Sequence, residues 1–243
     1  MIGVIIQARV GSTRLPGKVL RDIGGCSMLA RVVRRVARAR RIDRVIVATS
    51  TLPQDDAVVA EAEGLDADVF RGSEQDVLDR YHGAAAAFGL DAIVRVTSDC
   101  PLIDPGLIDV VVGRFLDARP AVDFASNSLD PTYPRGLDFS IMTRSALERA
   151  WTEATQDYER VHVTPYLREH PERFRLLSVT GGSGSEQRWT VDTHEDLEFV
   201  RVVYSRFGNR DAMSWRDVLA LLEREPELLA INRDVRQKAV KEL

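Results

Sequence analysis

Before residue 118 the chain alternates four times between a short apolar run and a longer amphipathic stretch, and this alternation constrains the fold more than any other feature. Gly3 to Arg9 reads as a buried strand, and Met28 to Arg40 as a helix with Leu29, Val32, Val33 and Val36 on one face. The unit repeats as strand Val45 to Thr49 with helix Asp55 to Glu63, strand Asp68 to Phe70 with helix Asp76 to Phe88, and strand Ala92 to Thr97. Asp104 then supplies an N-cap and Pro105 suits the first helical position, so a fourth helix runs to about Asp117. Parallel strands need crossovers of this length. The expected fold is a three-layer α/β domain, Rossmann-like, around a mainly parallel mixed sheet.

A fifth strand is expected near Phe124, after which the rhythm breaks. Residues 127–184 open with the turn-rich Asp130-Pro131-Thr132-Tyr133-Pro134-Arg135-Gly136. They continue with a strand over Leu137 to Met142 and helical pieces interrupted at Pro165. We read this stretch as an insertion that shapes an acceptor pocket within one domain spanning residues 1–243. Arg188 to Val191 then returns as a strand, a helix covers Glu195 to Phe207, and the polar tail after Asn232 is expected to fray.

With 44% hydrophobic and 29% charged residues, a 243-residue chain buries a sizeable core and is too apolar to be disordered. Its net charge of -4 disfavours general nucleic-acid binding, which calls for clustered excess cation. Cys26 and Cys100 are too few for a disulfide framework or a thiolate metal site, and no apolar run approaches the length of a membrane span. The reading is a cytoplasmic protein without nucleic-acid or membrane partners. Arg31, Arg34, Arg35, Arg38 and Arg41 form a stripe read as a solvated helix face. Lysine is scarce: Lys18 is the only one before Lys238, which marks position 18 as a place that requires an ammonium.

Lys18 closes the loop Arg9-Val10-Gly11-Ser12-Thr13-Arg14-Leu15-Pro16-Gly17-Lys18, set between the first strand and the first helix. Glycines there permit close backbone approach, amide groups can point at an anion, and Arg9, Arg14 and Lys18 add three cations. The loop is not a Walker A motif, because five residues separate Gly11 from Gly17 and Val19 stands where a magnesium-binding hydroxyl belongs. The competing interpretation is a surface loop with solvated arginines. Asp99, after the Ala92 to Thr97 strand, lies where open parallel sheets bind ligands. Asp192 is read as ending the Arg188 to Val191 strand, and a capping box between Thr193 and Asp196 leaves it free for other work. Helix caps are the competing interpretation for both aspartates. Arg135, Asp138, Glu159 and His162 are candidates to contact an acceptor's carboxylate and hydroxyls, against the alternative of a solvated polar face.

The stretch Ile5-Ile6-Gln7-Ala8-Arg9 through Leu15-Pro16-Gly17-Lys18 resembles the opening motif of the cytidylyltransferases that make CMP-activated acidic sugars, among them the CMP-KDO and CMP-sialic acid synthetases. The spore-coat polysaccharide biosynthesis protein F group is most similar, almost end to end. The further stretches that carry this likeness are Gly72 to Leu78, Arg95 to Ile103, Tyr158 to Pro165 and Arg188 to Thr193. The resemblance implies a nucleotide-diphospho-sugar transferase fold, a homodimer, and magnesium-dependent transfer of CMP from CTP to an acidic keto-deoxy sugar with release of pyrophosphate. It implies that Ala8 and Arg9 approach the nucleotide, that Arg9, Gly11, Ser12, Arg14 and Lys18 surround the triphosphate, and that Ser73 and Asp76 lie near cytosine and ribose. Arg9, Lys18 and Asp99 are the implied catalytic residues, with Asp99 and Asp192 as magnesium ligands. Gln7 departs from the proline common in the CMP-KDO and sialate enzymes, which bears on the sugar. With no cation between them, the two aspartates are expected to repel and turn apart. The rival readings are a glycosyltransferase that consumes a nucleotide sugar and a non-catalytic nucleotide-binding protein.

Overall fold

Val4, Ile5 and Ile6 are each fully buried, yet consecutive strand residues face opposite sides, so this segment is covered on both faces. The computed structural model, which describes residues 1–238, shows why. Its sheet contains β1 (Ile2–Gln7), β2 (Arg44–Ser50), β3 (Asp68–Gly72), β4 (Ala92–Thr97), β5 (Phe124–Ser126), β6 (Ser140–Thr143) and β7 (Leu176–Ser178), in the spatial order β3-β2-β1-β4-β6-β5-β7. The first four strands are parallel; β6 runs antiparallel between β4 and β5, and β7 joins β5 in parallel. Val4 and Ile6 pack on one side with α1 (Met28–Val36), α2 (Asp56–Glu63), α4 (Pro105–Asp117), α8 (His194–Arg206) and α9 (Trp215–Arg224). Ile5 packs on the other with α3 (Val77–Ala87), α5 (Arg144–Glu153) and α7 (Pro165–Glu169), while α6 (Asp157–His162) lies against α3. This is the three-layer α/β arrangement expected.

β4 and α4 occupy the segments read from the sequence, and Asp104 caps α4 by accepting from the Leu107 amide at 2.7 Å. Beyond β5 several readings need correction. Residues 127–184 contribute β6 and β7 to the main sheet, and β7 was not anticipated. The helical pieces are interrupted at Pro165 as expected: α6 ends at His162 and Pro165 begins α7, where its missing N–H costs nothing. Arg188 to Val191 is not a strand: its only ladder contact is an isolated bridge between Arg135 and Arg188.

The solvated-face reading of the arginine stripe also fails at two positions. Arg31 and Arg35 are buried, and their guanidinium groups donate to loop carbonyls: Ile23, Gly24 and Asn209 for Arg31, Leu102, Ile103, Asp211 and Met213 for Arg35. Five donors in a rigid fork make arginine able to satisfy several converging carbonyls where lysine could not. The tail expected to fray begins after Asn232, which is itself buried and donates to the Arg188 carbonyl and the Asp196 carboxylate. Residues 239–243, which belong to the same expectation, lie outside the described residues.

Candidate active site

β1 sits between β2 and β4, and the crevice at its carboxyl end is filled by the loop that leaves it. Leu15 is fully buried and anchors that loop from within. The Val10 amide donates to the Asp55 carboxylate at 2.7 Å, Ser12 Oγ accepts from the Leu15 amide, and the Gly17 amide closes back on the Val10 carbonyl at 3.1 Å. Gly17 takes φ +67, a left-handed conformation that glycine enters at little cost, and it turns the chain so that Lys18 points inward.

Lys18 Nζ then lies 3.0 Å from Asp99 Oδ2, 2.9 Å from Asp192 Oδ1 and 2.8 Å from the Val191 carbonyl. The two aspartates, 93 positions apart in sequence, converge on one ammonium. They do not turn apart, because the chain supplies the cation that the expectation of repulsion left out. Arg14 Nη2 adds a contact to Asp192 Oδ1 at 2.9 Å, and Arg188 Nη2 holds Asp192 Oδ2 at 2.7 Å. Thr193 and Asp196 do form the expected capping box on α8, which leaves Asp192 out of the cap.

Asp192 reaches this point without a strand to carry it. The segment before it is laced to two others by the Trp189 amide on the Arg135 carbonyl, the Arg135 amide on the Gln187 carbonyl, and the Val191 amide on the Asp99 carbonyl. Fully buried Trp189 pins the segment to the core. Gly136, at φ +107, permits the approach, since a Cβ there would sit 2.5 Å from the Thr190 nitrogen. Three loops are thereby knitted at one end of the sheet, which is how residues distant in sequence share one site.

Charge in this cluster is internally balanced. Burial raises the Asp99 carboxyl, but the Lys18 ammonium, together with hydrogen bonds from Thr97 and Cys100, outweighs it and holds the pKa down at about 2. Asp192 is also held below the usual carboxylate range, with burial and the neighbouring Asp99 opposing and Lys18 and Arg188 prevailing. Burial favours neutral Lys18, and the two carboxylates overcome it to raise its pKa. All three groups are ionised at neutral pH.

A cleft of about 340 Å3 opens over the cluster, and its wall includes Ala8, Arg9, Gly11, Ser12, Arg14, Lys18, Asp99 and Asp192. His162 also lines it. Ser73 and Asp76 are not on this wall: Ser73 Oγ accepts from the Asp76 amide, and Asp76 caps α3 while pairing with Arg160 at 2.7 Å. Their neighbours Val77 and Arg80 reach the cleft instead. Other lining residues were not assigned to the cleft from the sequence, among them Gln7, Arg80 and Lys238. Gln7 lines the cleft with a buried side-chain oxygen that has no partner, Arg80 is buried beside it, and Lys238 returns from the tail. The scarcity of lysine was a signal for Lys238 as much as for Lys18.

A second cavity of about 360 Å3 adjoins the first through His162, which lines both. Arg135 and Asp138 line it as anticipated. Glu159 does not: it is buried in the capping box of α6, accepting from the Thr155 and Gln156 amides. Among the described residues no group of three or more His, Cys, Asp or Glu side chains could hold a metal ion, and no helix is long and apolar enough to cross a membrane.

The site thus joins a strand-borne loop of cations, two carboxylates beneath it and an adjoining polar cavity. Residues 3–220 match the cytidylyltransferase family, and the chain belongs to it. It is a CTP-dependent cytidylyltransferase, which sets aside the glycosyltransferase and non-catalytic readings. It is 34% identical over 231 residues to the spore coat polysaccharide biosynthesis protein SpsF of Bacillus subtilis, covering 92% of this chain and 94% of that one. A 3-deoxy-manno-octulosonate cytidylyltransferase of Bradyrhizobium diazoefficiens is 34% identical over 219 residues, covering 82% and 83%. A cytidylyltransferase structure from Leptospira borgpetersenii superposes with a TM-score of 0.91 at 33% identity, covering 98% and 99%.

Proposed function

We propose that this cytidylyltransferase moves CMP from CTP to an acidic keto-deoxy sugar, releasing pyrophosphate, in the assembly of a surface or spore-coat polysaccharide. The observation that carries this reading is the ammonium of Lys18 seated between Asp99 and Asp192, beneath a loop with two further cations and beside a basic cavity. CTP enters the first cleft, with Arg9, Arg14 and Lys18 facing its phosphates; Gly11 and Ser12 allow close approach of the backbone. The acceptor occupies the second cavity, shaped by residues from 127–184, and presents a hydroxyl past His162 to the α-phosphorus. Attack there forms the new P–O bond as the bond to pyrophosphate breaks. No protein nucleophile is needed, because such transfers rest on positioning and on stabilising developing charge.

Magnesium fits the donor set. It favours oxygen ligands and commonly binds through one or two carboxylates plus substrate phosphates, without a full protein cage. Asp99 and Asp192 are such a pair, both ionised. When bound, the metal supplies neutralisation of the triphosphate charge. Lys18 then exchanges its carboxylate partners for phosphate oxygens.

The test is pyrophosphate release from each of the four nucleoside triphosphates with magnesium, against matched acidic and neutral sugars. CTP with acidic sugars is expected to lead. Faster turnover of neutral sugars would overturn the acceptor assignment, and equal turnover of UTP or a purine triphosphate would overturn the strict cytosine preference.

A further inference from the structure

Among the described residues, arginines with a buried guanidinium nitrogen have side-chain partners, with one exception, the half-buried Arg95. Arg31 and Arg35 are saturated by carbonyls; Arg80 and Arg144 each keep an unpaired Nε but donate a terminal nitrogen to a carbonyl. Arg95 has a buried, unpartnered Nε, and its side chain makes no hydrogen bond or ion pair among the described residues. It lies on β4 and faces the second cavity. Its register partner on β6 is Ser140, and the partner of Ser140 on β5 is Ser126. Directly paired residues share a sheet face, so Arg95 and the two serines form one polar row across the cavity floor.

Arg135 and Arg168 stand on the same cavity, brought there by the turn before β6 and by α7. Against three guanidinium groups the lining offers one carboxylate, Asp138, which the Gly136 amide already engages at 3.1 Å. Burial pushes the Asp138 carboxyl up, with Arg135 and Arg168 opposing. Burial also lowers Arg168, and the like charge of Arg95 acts in the same sense. The cavity therefore holds at least two positive charges more than it can neutralise. A ligand with one carboxylate neutralises one of these charges and leaves the rest of the excess, with the buried Nε of Arg95 on the cavity floor, unmatched.

We propose that the acceptor is a dianion: a small polyhydroxylated acid with a second anionic group, either a phosphate ester or a second carboxylate, bound by Arg95 and Arg168 together with Arg135. This rests on the reading that the second cavity takes the acceptor. It adds two binding residues and a charge requirement to that reading.

The test compares 3-deoxy-manno-octulosonate, the same acid phosphorylated at its terminal hydroxyl, and a dicarboxylate of equal carbon count. Each is assayed for CTP-dependent pyrophosphate release and for direct binding by calorimetry. The dianions are expected to show KM and Kd values about 10- to 100-fold below the monoanion, as fits one additional charge-assisted contact. Whichever of the two leads identifies the second group. Arg95→Gln is expected to raise KM for the dianion by a similar factor and for the monoanion by less than about threefold, with KM for CTP unchanged. Arg168→Gln, at the exposed rim, shifts KM in the same direction by less, and serves if Arg95→Gln does not fold. Equal binding of monoanion and dianions, or Arg variants that weaken both alike, would overturn the proposal while leaving cytidylyl transfer to an acidic sugar intact. A preference for neutral sugars would instead remove the acceptor reading itself.

Discussion

The two cavities meet at His162 but handle charge in opposite ways. In the first cleft every strong charge of the central cluster is matched by another from the same chain: Lys18 and Arg14 by Asp99 and Asp192, and Arg188 by Asp192 and Asp196. In the second cavity the Arg95 side chain has no hydrogen-bond or ion-pair partner among the described residues. The contrast matches the ligands proposed for the two cavities. A triphosphate is large, mobile and highly charged, and a site that stays organised without it needs an internal counter-charge. A small acceptor carries its anions in fixed positions, so unmatched arginines select for it directly.

The strongest way to break this comparison is to remove the tethered cation. Lys18→Ala is expected to lower kcat/KM by roughly 10- to 100-fold, since charge-assisted contacts are typically worth about 1.5 to 3 kcal/mol. Lys18→Arg should also be impaired, because a planar fork does not replace a compact ammonium between two carboxylates. Arg21→Ala makes the control: Arg21 is exposed, with a single long contact to the Pro16 carbonyl at 3.4 Å, and less than about a twofold change is expected. Near-normal turnover in Lys18→Ala would mean the loop does not grip phosphates.

A smaller effect is expected from Asp99→Asn and Asp192→Asn, each lowering turnover by about tenfold while cooperative melting is retained. Full activity in both would take the carboxylate pair, and any metal on it, out of the mechanism.

The subtlest expectation concerns pH in the metal-free, ligand-free protein. The Asp99 carboxyl is depressed from 3.8 to about 2, so its contribution to stability is present above 3.8 and is lost as pH falls toward 2. Lys18 is raised above 10.5, so its contribution holds below that value and is lost as pH climbs through the raised one. The melting-temperature difference between wild type and Lys18→Met should therefore stay level from about pH 5 to 9 and narrow only in stronger acid or base. A difference that collapses between about pH 5 and 7 would show that the cluster is not the ionised triad described.

Much of this arrangement was legible because the first half of the chain obeys local rules. β4 and α4 are bounded by signals that act over a few residues: an apolar run before Thr97, an N-cap at Asp104, a proline at N1. The loop cations were legible because Lys18 stands out against an arginine-rich background. The later half depends on long-range pairing. β7 is three half-buried residues whose only reason to be extended is β5 beside them. Arg188 to Val191 looked like a strand because Trp189 and Val191 alternate with polar neighbours, but their backbone pairs with Asp99 and Arg135, which no local pattern reveals. Charge type misled as well. Glu159 was read as a ligand for an acceptor and is a helix cap, and Arg31 and Arg35 were read as solvated and are interior struts. Side-chain chemistry says what a residue can bond; the surrounding carbonyls decide whether it does so inside or outside.

The position of Lys18 has a kinetic consequence. An ammonium carried on the backbone is an intramolecular competitor whose effective concentration at the carboxylates does not depend on dilution. Any free divalent ion seeking Asp99 and Asp192 must displace it, and its apparent affinity falls by the fraction of time that Lys18 occupies them. On the proposed function, phosphate oxygens of an incoming nucleotide would draw the same ammonium away and free the carboxylates, so that nucleotide binding would favour an ion on Asp99 and Asp192.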